Sequence, residues 1–154
     1  MKIEELLDSK SIKIGLVAKT KKEALNQMVD LANKTNKILD ISNIKRQVLL
    51  REELSSTAIG NAVALPHTKS VAVSSIVASL CILKTPLTDF QSPDDKPVQI
   101  LFLLLANENQ VGKQLRYLSY FAKLFSDIKI VEQIQQCNTE TDIMNFLVEI
   151  SEEL

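Results

Sequence analysis

The chain reads as an α/β protein, a single domain with a mixed central β-sheet flanked by helices on both faces. Three observations predict this. Residues 75–84 (SIVASLCILK) and 98–106 (VQILFLLLA) are apolar at consecutive positions, as in strands covered on both sides. Segments nearer the two ends carry apolar residues at helical spacing. The length of 154 residues with 45% apolar content suits one compact core, taken here as one domain over residues 1–154, with sheet and helices in layers.

In chain order, residues 11–17 (SIKIGLV) form a short strand or extended lead-in. Thr20 followed by Glu23 has the capping-box pattern and opens a helix running to about residue 36, with Ala24, Leu25, Met28, Leu31 and Ala32 on its inner face. A second helix covers residues 41–53, with Ile44, Val48 and Leu49 inward. Residues 55–70 (SSTAIGNAVALPHTKS) are rich in small side chains. Within them Ala62 to Leu65 form a buried strand that Pro66 ends, since proline cannot donate to a ladder. Residues 86–97, holding Pro86, Pro93, Pro97 and the pair Asp94 and Asp95, form a polar loop. That acidic pair reads as a solvated turn. A helix follows with Leu115, Leu118, Ala122 and Phe125 on one stripe and Phe121 and Leu124 beside it. On it Tyr117 and Tyr120, three apart, serve packing or partner contact. Thr139 and Asp142 mark a last helix start, with Ile143, Phe146, Leu147 and Ile150 facing inward. The closing SEEL is a solvated helix end.

Composition removes several functional classes. Eighteen Lys and Arg against nineteen Asp and Glu leave a net charge of −1, too little positive charge for a nucleic-acid binder or a polybasic membrane anchor. The glycines Gly15, Gly60 and Gly112 fit neither a dinucleotide fingerprint nor a Walker loop. Cys81 and Cys137 make no disulfide framework, and Cys81, in mid-strand, is a core residue. One histidine, His67, supplies neither a zinc knot nor a metalloprotease site. No metal and no cofactor are expected. The N-terminal residues lack a signal-peptide plan, and the longest apolar run is too short to span a bilayer. A reduced, cytoplasmic protein without membrane insertion is the expectation.

Chemistry converges on His67. It follows an apolar strand and a proline, which sets it at a strand's end among small residues that let a partner approach the backbone. Ser55, Ser56 and Thr57 offer hydroxyl and amide donors suited to an anion. Arg51 lies upstream and can bind a phosphoryl group through two N–H groups. Acyl transfer wants a Ser or Cys nucleophile beside the base, and glycoside hydrolysis wants two opposed carboxylates; neither stands out. Attack by a neutral imidazole on phosphorus needs only the ring. At an ordinary pKa near 6.5, about three quarters of such rings are neutral at pH 7. The phosphohistidine gains a charge of roughly −1.5 to −2, which a guanidinium and oriented donors offset.

The run from Arg51 to His67, REELSSTAIGNAVALPH, resembles the signature of enzyme IIA domains of the fructose/mannitol class in the phosphoenolpyruvate-dependent phosphotransferase system. That pattern is close to R-E, two or three residues, then S-T-G-I-G-x-G-I-A-I-P-H. Residues 86–90 (PLTDF) resemble the family's P-I-D-F, and residues 96–105 (KPVQILFLLL) its P-V-x-L-V-F-L-L strand. The resemblance covers essentially the whole chain. It implies a mixed sheet with helices on both sides. It also implies that His67 accepts a phosphoryl group from the upstream histidine phosphocarrier protein. Arg51 would steady the product and Thr57 would belong to the rim. In sugar-transport members the group passes on to a IIB cysteine. In the nitrogen-type branch the state of the IIA domain regulates target proteins such as potassium transporters and kinases.

The chain departs from the pattern at three positions. Ala58 and Ala62 stand where glycines are usual, which implies a slightly different loop. Gln114 stands where the family generally has a second histidine reaching the site. Its amide can hydrogen-bond a phosphoryl oxygen but cannot become a cation, so the phosphorylated form would be less stabilised; alternatively it is an ordinary exposed helix residue. Three functions follow in order: a nitrogen-type regulatory phosphocarrier, favoured by the chain's length without a fused IIB or membrane domain; a sugar-specific IIA component; and a binding-only regulator that has lost transfer.

Overall fold

A computed structural model describes residues 2–152. Its sheet has six strands: β1 (Ile12–Leu16), β2 (Ala58–Gly60), β3 (Val63–Ala64), β4 (His67–Lys69), β5 (Val77–Leu87) and β6 (Val98–Ala106). The order is β1-β5-β6-β3-β2, with β4 pairing the far half of β6 beside β3. Parallel pairs β1–β5, β3–β6 and β4–β6 combine with antiparallel β5–β6 and β2–β3, so the sheet is mixed.

The continuous apolar character of β5 and β6 follows from two covering layers. Val77, Cys81, Leu83, Leu101, Leu103 and Leu105 face one core with α1 (Lys21–Ala32) and α2 (Ile41–Leu54). Ala78, Leu80, Ile82, Ile100, Phe102 and Leu104 face the other with α3 (Val111–Phe125), α4 (Ile128–Gln136) and α5 (Glu140–Glu152). Each fully buried Val, Leu, Ile or Phe among them stabilises by roughly 1.5–3 kcal/mol. Ser79 is the polar exception, and its hydroxyl donates to the Met28 carbonyl at 2.9 Å.

Helix ends follow their capping residues. The Thr20 hydroxyl accepts the Glu23 N–H at 3.2 Å, but the Glu23 carboxylate turns to the Lys19 N–H at 2.8 Å, so only half of the capping box forms. α1 ends at Ala32; a 3₁₀ turn then carries the chain to Asn36, in the left-handed region at φ 60°. Asp40 caps α2 through the Asn43 N–H, and Thr139 caps α5 through Asp142. Glu152 is exposed at the end of α5; Glu153 and Leu154, also read as solvated, lie outside the described residues.

Several local expectations change. Pro66 does not end the ladder: its carbonyl accepts the Leu104 N–H at 3.0 Å, and β4 resumes beside β6. A proline lacks only the donor, and here the acceptor is the group in use. Likewise β5 runs through Pro86 to Leu87, because the register with β6 is already broken between Ile82 and Leu87 and no ladder N–H is lost. Residues 58–60, in the stretch rich in small side chains, form β2, and α4 was not anticipated. On α3 the inner face is Gln114, Tyr117, Phe121, Leu124 and Phe125, while Leu115 is 58% exposed. The helix is turned by about one position because Tyr117 donates its hydroxyl to the Lys2 carbonyl at 2.8 Å and Phe121 stacks on Phe102 with centroids 4.1 Å apart.

Candidate functional site

Two short strands and the end of α2 assemble the site. Gly60, Asn61 and Ala62 all take positive φ (93°, 56° and 65°) in the turn between β2 and β3, whose two central residues, Asn61 and Ala62, both demand left-handed backbone. At Gly60 a Cβ would meet the Asp94 carboxylate at 3.3 Å. Ala62 holds the left-handed geometry at φ 65° that glycine adopts more readily, at a cost of about 1–2 kcal/mol. Asp94 clasps the turn by accepting the Asn61 N–H at 2.8 Å. The Asn61 amide in turn donates to the carbonyls of Phe125 and Ser126. The solvated turn containing Asp94 thus has a definite task in holding the hairpin.

His67 begins β4 opposite Leu104 and is half-buried. Its Nδ1 lies 2.8 Å from the Leu65 carbonyl. A carbonyl only accepts, so Nδ1 carries the proton and Nε2 holds the lone pair. Burial, first, and the Arg51 charge push the ring's pKa below its ordinary 6.5, against the Leu65 hydrogen bond and the Glu52 carboxylate, which raise it. The neutral ring therefore prevails at pH 7. Arg51, on the last turn of α2, donates to the Ser55 carbonyl at 3.0 Å, and its positive charge acts on His67.

Thr57 is 6% exposed, and both its donors are engaged within the protein. Its N–H donates to Glu52 Oε1 at 3.1 Å and its hydroxyl to Oε2 at 2.7 Å. The anion these groups serve is the buried Glu52 carboxylate, which also pairs with Lys21 Nζ at 3.3 Å. Sequence reading passed over Glu52. Its signal was a carboxylate in the last turn of a helix, where the dipole disfavours negative charge and a specific partner is needed.

Gln114 is 5% exposed, not an ordinary surface residue. Its amide nitrogen donates to the Thr68 carbonyl at 2.8 Å and lies 3.4 Å from the Leu104 carbonyl. It ties α3 to β4 and β6 directly beside His67. The site thus unites His67, Arg51, Thr57 and Glu52, with Gln114 holding its strand from behind. Among the described residues no group of three or more His, Cys, Asp and Glu is placed to hold a metal ion, and no helix is long and apolar enough to cross a membrane. Cys81 is buried in β5, and burial raises its thiol pKa to about 12.

Comparison with known proteins agrees with this architecture. The chain is 31% identical over 147 residues to the fructose-specific EIIABC component of Bacillus subtilis; the match covers 96% of this chain and 23% of that one, so the chain spans about a quarter of that relative's length. It is 25% identical to the nitrogen regulatory protein of Pseudomonas aeruginosa, with 97% of each chain covered. The crystal structure of the nitrogen regulatory protein IIA-Ntr from Neisseria meningitidis superimposes with a TM-score of 0.87 at 28% identity, over 94% of this chain and 98% of that one. The mannitol IIA of Escherichia coli shares the fold with a TM-score of 0.76 at 19% identity, over 92% of this chain and 98% of that one. Residues 5–150 match the family described as phosphoenolpyruvate-dependent sugar phosphotransferase system, EIIA 2, and the chain belongs to that family.

Proposed function

We propose that the chain is a phosphocarrier of the phosphoenolpyruvate-dependent phosphotransferase system, acting in the cytoplasm as one domain over residues 1–154, and that His67 Nε2 is the accepting atom. One observation carries this reading: the Nδ1 hydrogen bond to Leu65 leaves Nε2 as the ring's only nucleophilic atom. The donor is a phosphorylated histidine phosphocarrier protein. The Nε2 lone pair forms the new N–P bond while the donor's N–P bond breaks, and that electron pair returns to the donor's ring. Nothing is oxidised or reduced. As the His67 ring becomes cationic, its Nδ1–H bond to Leu65 becomes charge-assisted. Arg51 offsets the phosphoryl charge.

The output is regulatory, of the nitrogen type, and the downstream partners are the proteins it regulates. Support comes from the nitrogen regulatory proteins matched over nearly their whole length and from the higher TM-score to IIA-Ntr than to mannitol IIA. Identity of 31% to the fructose-specific component favours the second reading, a sugar-specific IIA that passes phosphate to a IIB cysteine. With Gln114 beside the site, a binding-only regulator is the third.

Mass spectrometry after incubation with phosphoenolpyruvate and the two general carrier proteins tests the reading. Wild-type protein gains one phosphoryl group and His67→Ala gains none. An unlabelled wild type leaves only the binding regulator. Passage of the label to a IIB domain and a sugar would move the assignment to the second reading.

A further inference from the structure

Hydrogen bonds connect the buried Glu52 carboxylate to the His67 ring through the backbone of two residues, Thr57 and Leu65. Glu52 accepts both donors of Thr57 at 3.1 and 2.7 Å. The Thr57 carbonyl accepts the Leu65 N–H at 2.9 Å. The Leu65 carbonyl, the other end of that residue, accepts His67 Nδ1–H at 2.8 Å. At the far end, Lys21 holds the carboxylate from α1 at 3.3 Å, with its ammonium over the Phe90 ring 4.9 Å from the centroid. Glu52 itself is 4% exposed.

We infer that Glu52 is a positioning residue for His67: by fixing Thr57, it fixes the Leu65 carbonyl that keeps the proton on Nδ1 and presents Nε2 to the phosphoryl donor. The inference rests on His67 being the accepting residue, and adds a part of the molecule that never touches phosphorus.

The physical logic is one of alternatives. A Leu65 carbonyl free to rotate would let the ring take either tautomer, and a neutral imidazole has no strong preference of its own. A buried carboxylate is costly unless its oxygens are filled, so Glu52 has strong reason to hold Thr57 in one place. Thr57 cannot move without leaving a buried anion short of donors. The geometry of the ladder at β3 thereby becomes the geometry of the ring. Two charges act on the ring, Arg51 and Glu52, both from α2. Removing the Glu52 charge therefore alters the ring's titration as well as its orientation.

His67 is the only histidine in the chain, so its ring nitrogens can be read by NMR without assignment ambiguity. In wild-type protein the long-range proton–nitrogen spectrum shows the Nδ1–H tautomer. Glu52→Gln and Thr57→Val lower that tautomer's population, and Glu52→Gln moves the titration midpoint down. Thr57→Ser, which retains the hydroxyl, recovers the wild-type tautomer, a rescue that generic destabilisation would not produce. Phosphoryl acceptance by Glu52→Gln slows about tenfold, short of the roughly hundredfold that a 1 Å misplacement costs. Should Glu52→Gln not fold, the Thr57→Val and Thr57→Ser pair carries the same comparison. Folded variants whose tautomer, midpoint and acceptance rate all match wild type overturn the inference. Failure of wild-type protein to accept phosphate, by contrast, overturns the functional reading and leaves the spectra to judge Glu52 alone.

Discussion

The middle of the sheet and its His67 edge meet the same demand by different means. Residues 77–82 of β5 pair with residues 100–105 of β6 in unbroken antiparallel register, and their side chains alternate between two apolar layers. Along the edge, β2, β3 and β4 are three, two and three residues long. There a buried carboxylate, a clasping Asp94, a proline carbonyl and a glutamine amide hold the backbone. The centre is redundant, since losing one contact leaves many like it. The edge is specified bond by bond, and that is where one imidazole can be held with its lone pair outward.

Breaking the centre should therefore cost stability and spare the chemistry. Phe102→Ala removes a ring stacked on Phe121 and tilted against Phe125 at 6.0 Å. It should destabilise by about 3–5 kcal/mol in denaturant melts, while the protein that remains folded accepts phosphate at the wild-type rate. Gln114→Ala should cost less stability, about 0.5–1.5 kcal/mol, because it removes the amide's hydrogen bond to the Thr68 carbonyl at 2.8 Å. Unlike the core variant it should also slow phosphoryl acceptance, since β4 loses its tether to α3. Equal acceptance by both variants would erase the distinction between the two regions.

Smaller effects sharpen it. Ala62→Gly relieves left-handed backbone at φ 65° and should raise stability by about 1 kcal/mol, less the entropy that glycine adds to the unfolded chain. The pH dependence is smaller again. Burial and Arg51 lower the His67 pKa below 6.5, so the unfolded state binds the proton more readily. The ring's contribution to stability is complete above pH 6.5 and is lost as pH falls through the folded value. His67→Gln should flatten that acid-side slope in melts recorded between pH 7 and 5. Phosphoryl acceptance by the wild type should also fall off at lower pH than for an ordinary imidazole, because burial and Arg51 hold the ring's pKa down.

What could be read from the sequence divides along the same line. The doubly covered strands and the helices over residues 20–36, 41–53 and 139 onward follow from apolar periodicity, which reports burial on either side of an element. The helix of Leu115 and Phe125 was legible as a helix but not in its rotation. Gln114 and Tyr117 are polar by type and buried by partner, and periodicity counts only type. The edge hides for a related reason. β2 and β4 have three residues each, too few to show alternation, and the role of Glu52 depends on a contact with Thr57 that spacing alone does not reveal. His67 and Arg51 were visible because their chemistry is rare in this chain. Which ring nitrogen keeps its lone pair was not, since that depends on one carbonyl two residues upstream.

The most direct test is heteronuclear NMR of the ¹⁵N-labelled protein phosphorylated from phosphoenolpyruvate through the carrier proteins. The account predicts a single phosphorus coupled to Nε2 of His67, with Nδ1 still protonated. Phosphorus on Nδ1, or on any residue other than His67, would contradict it.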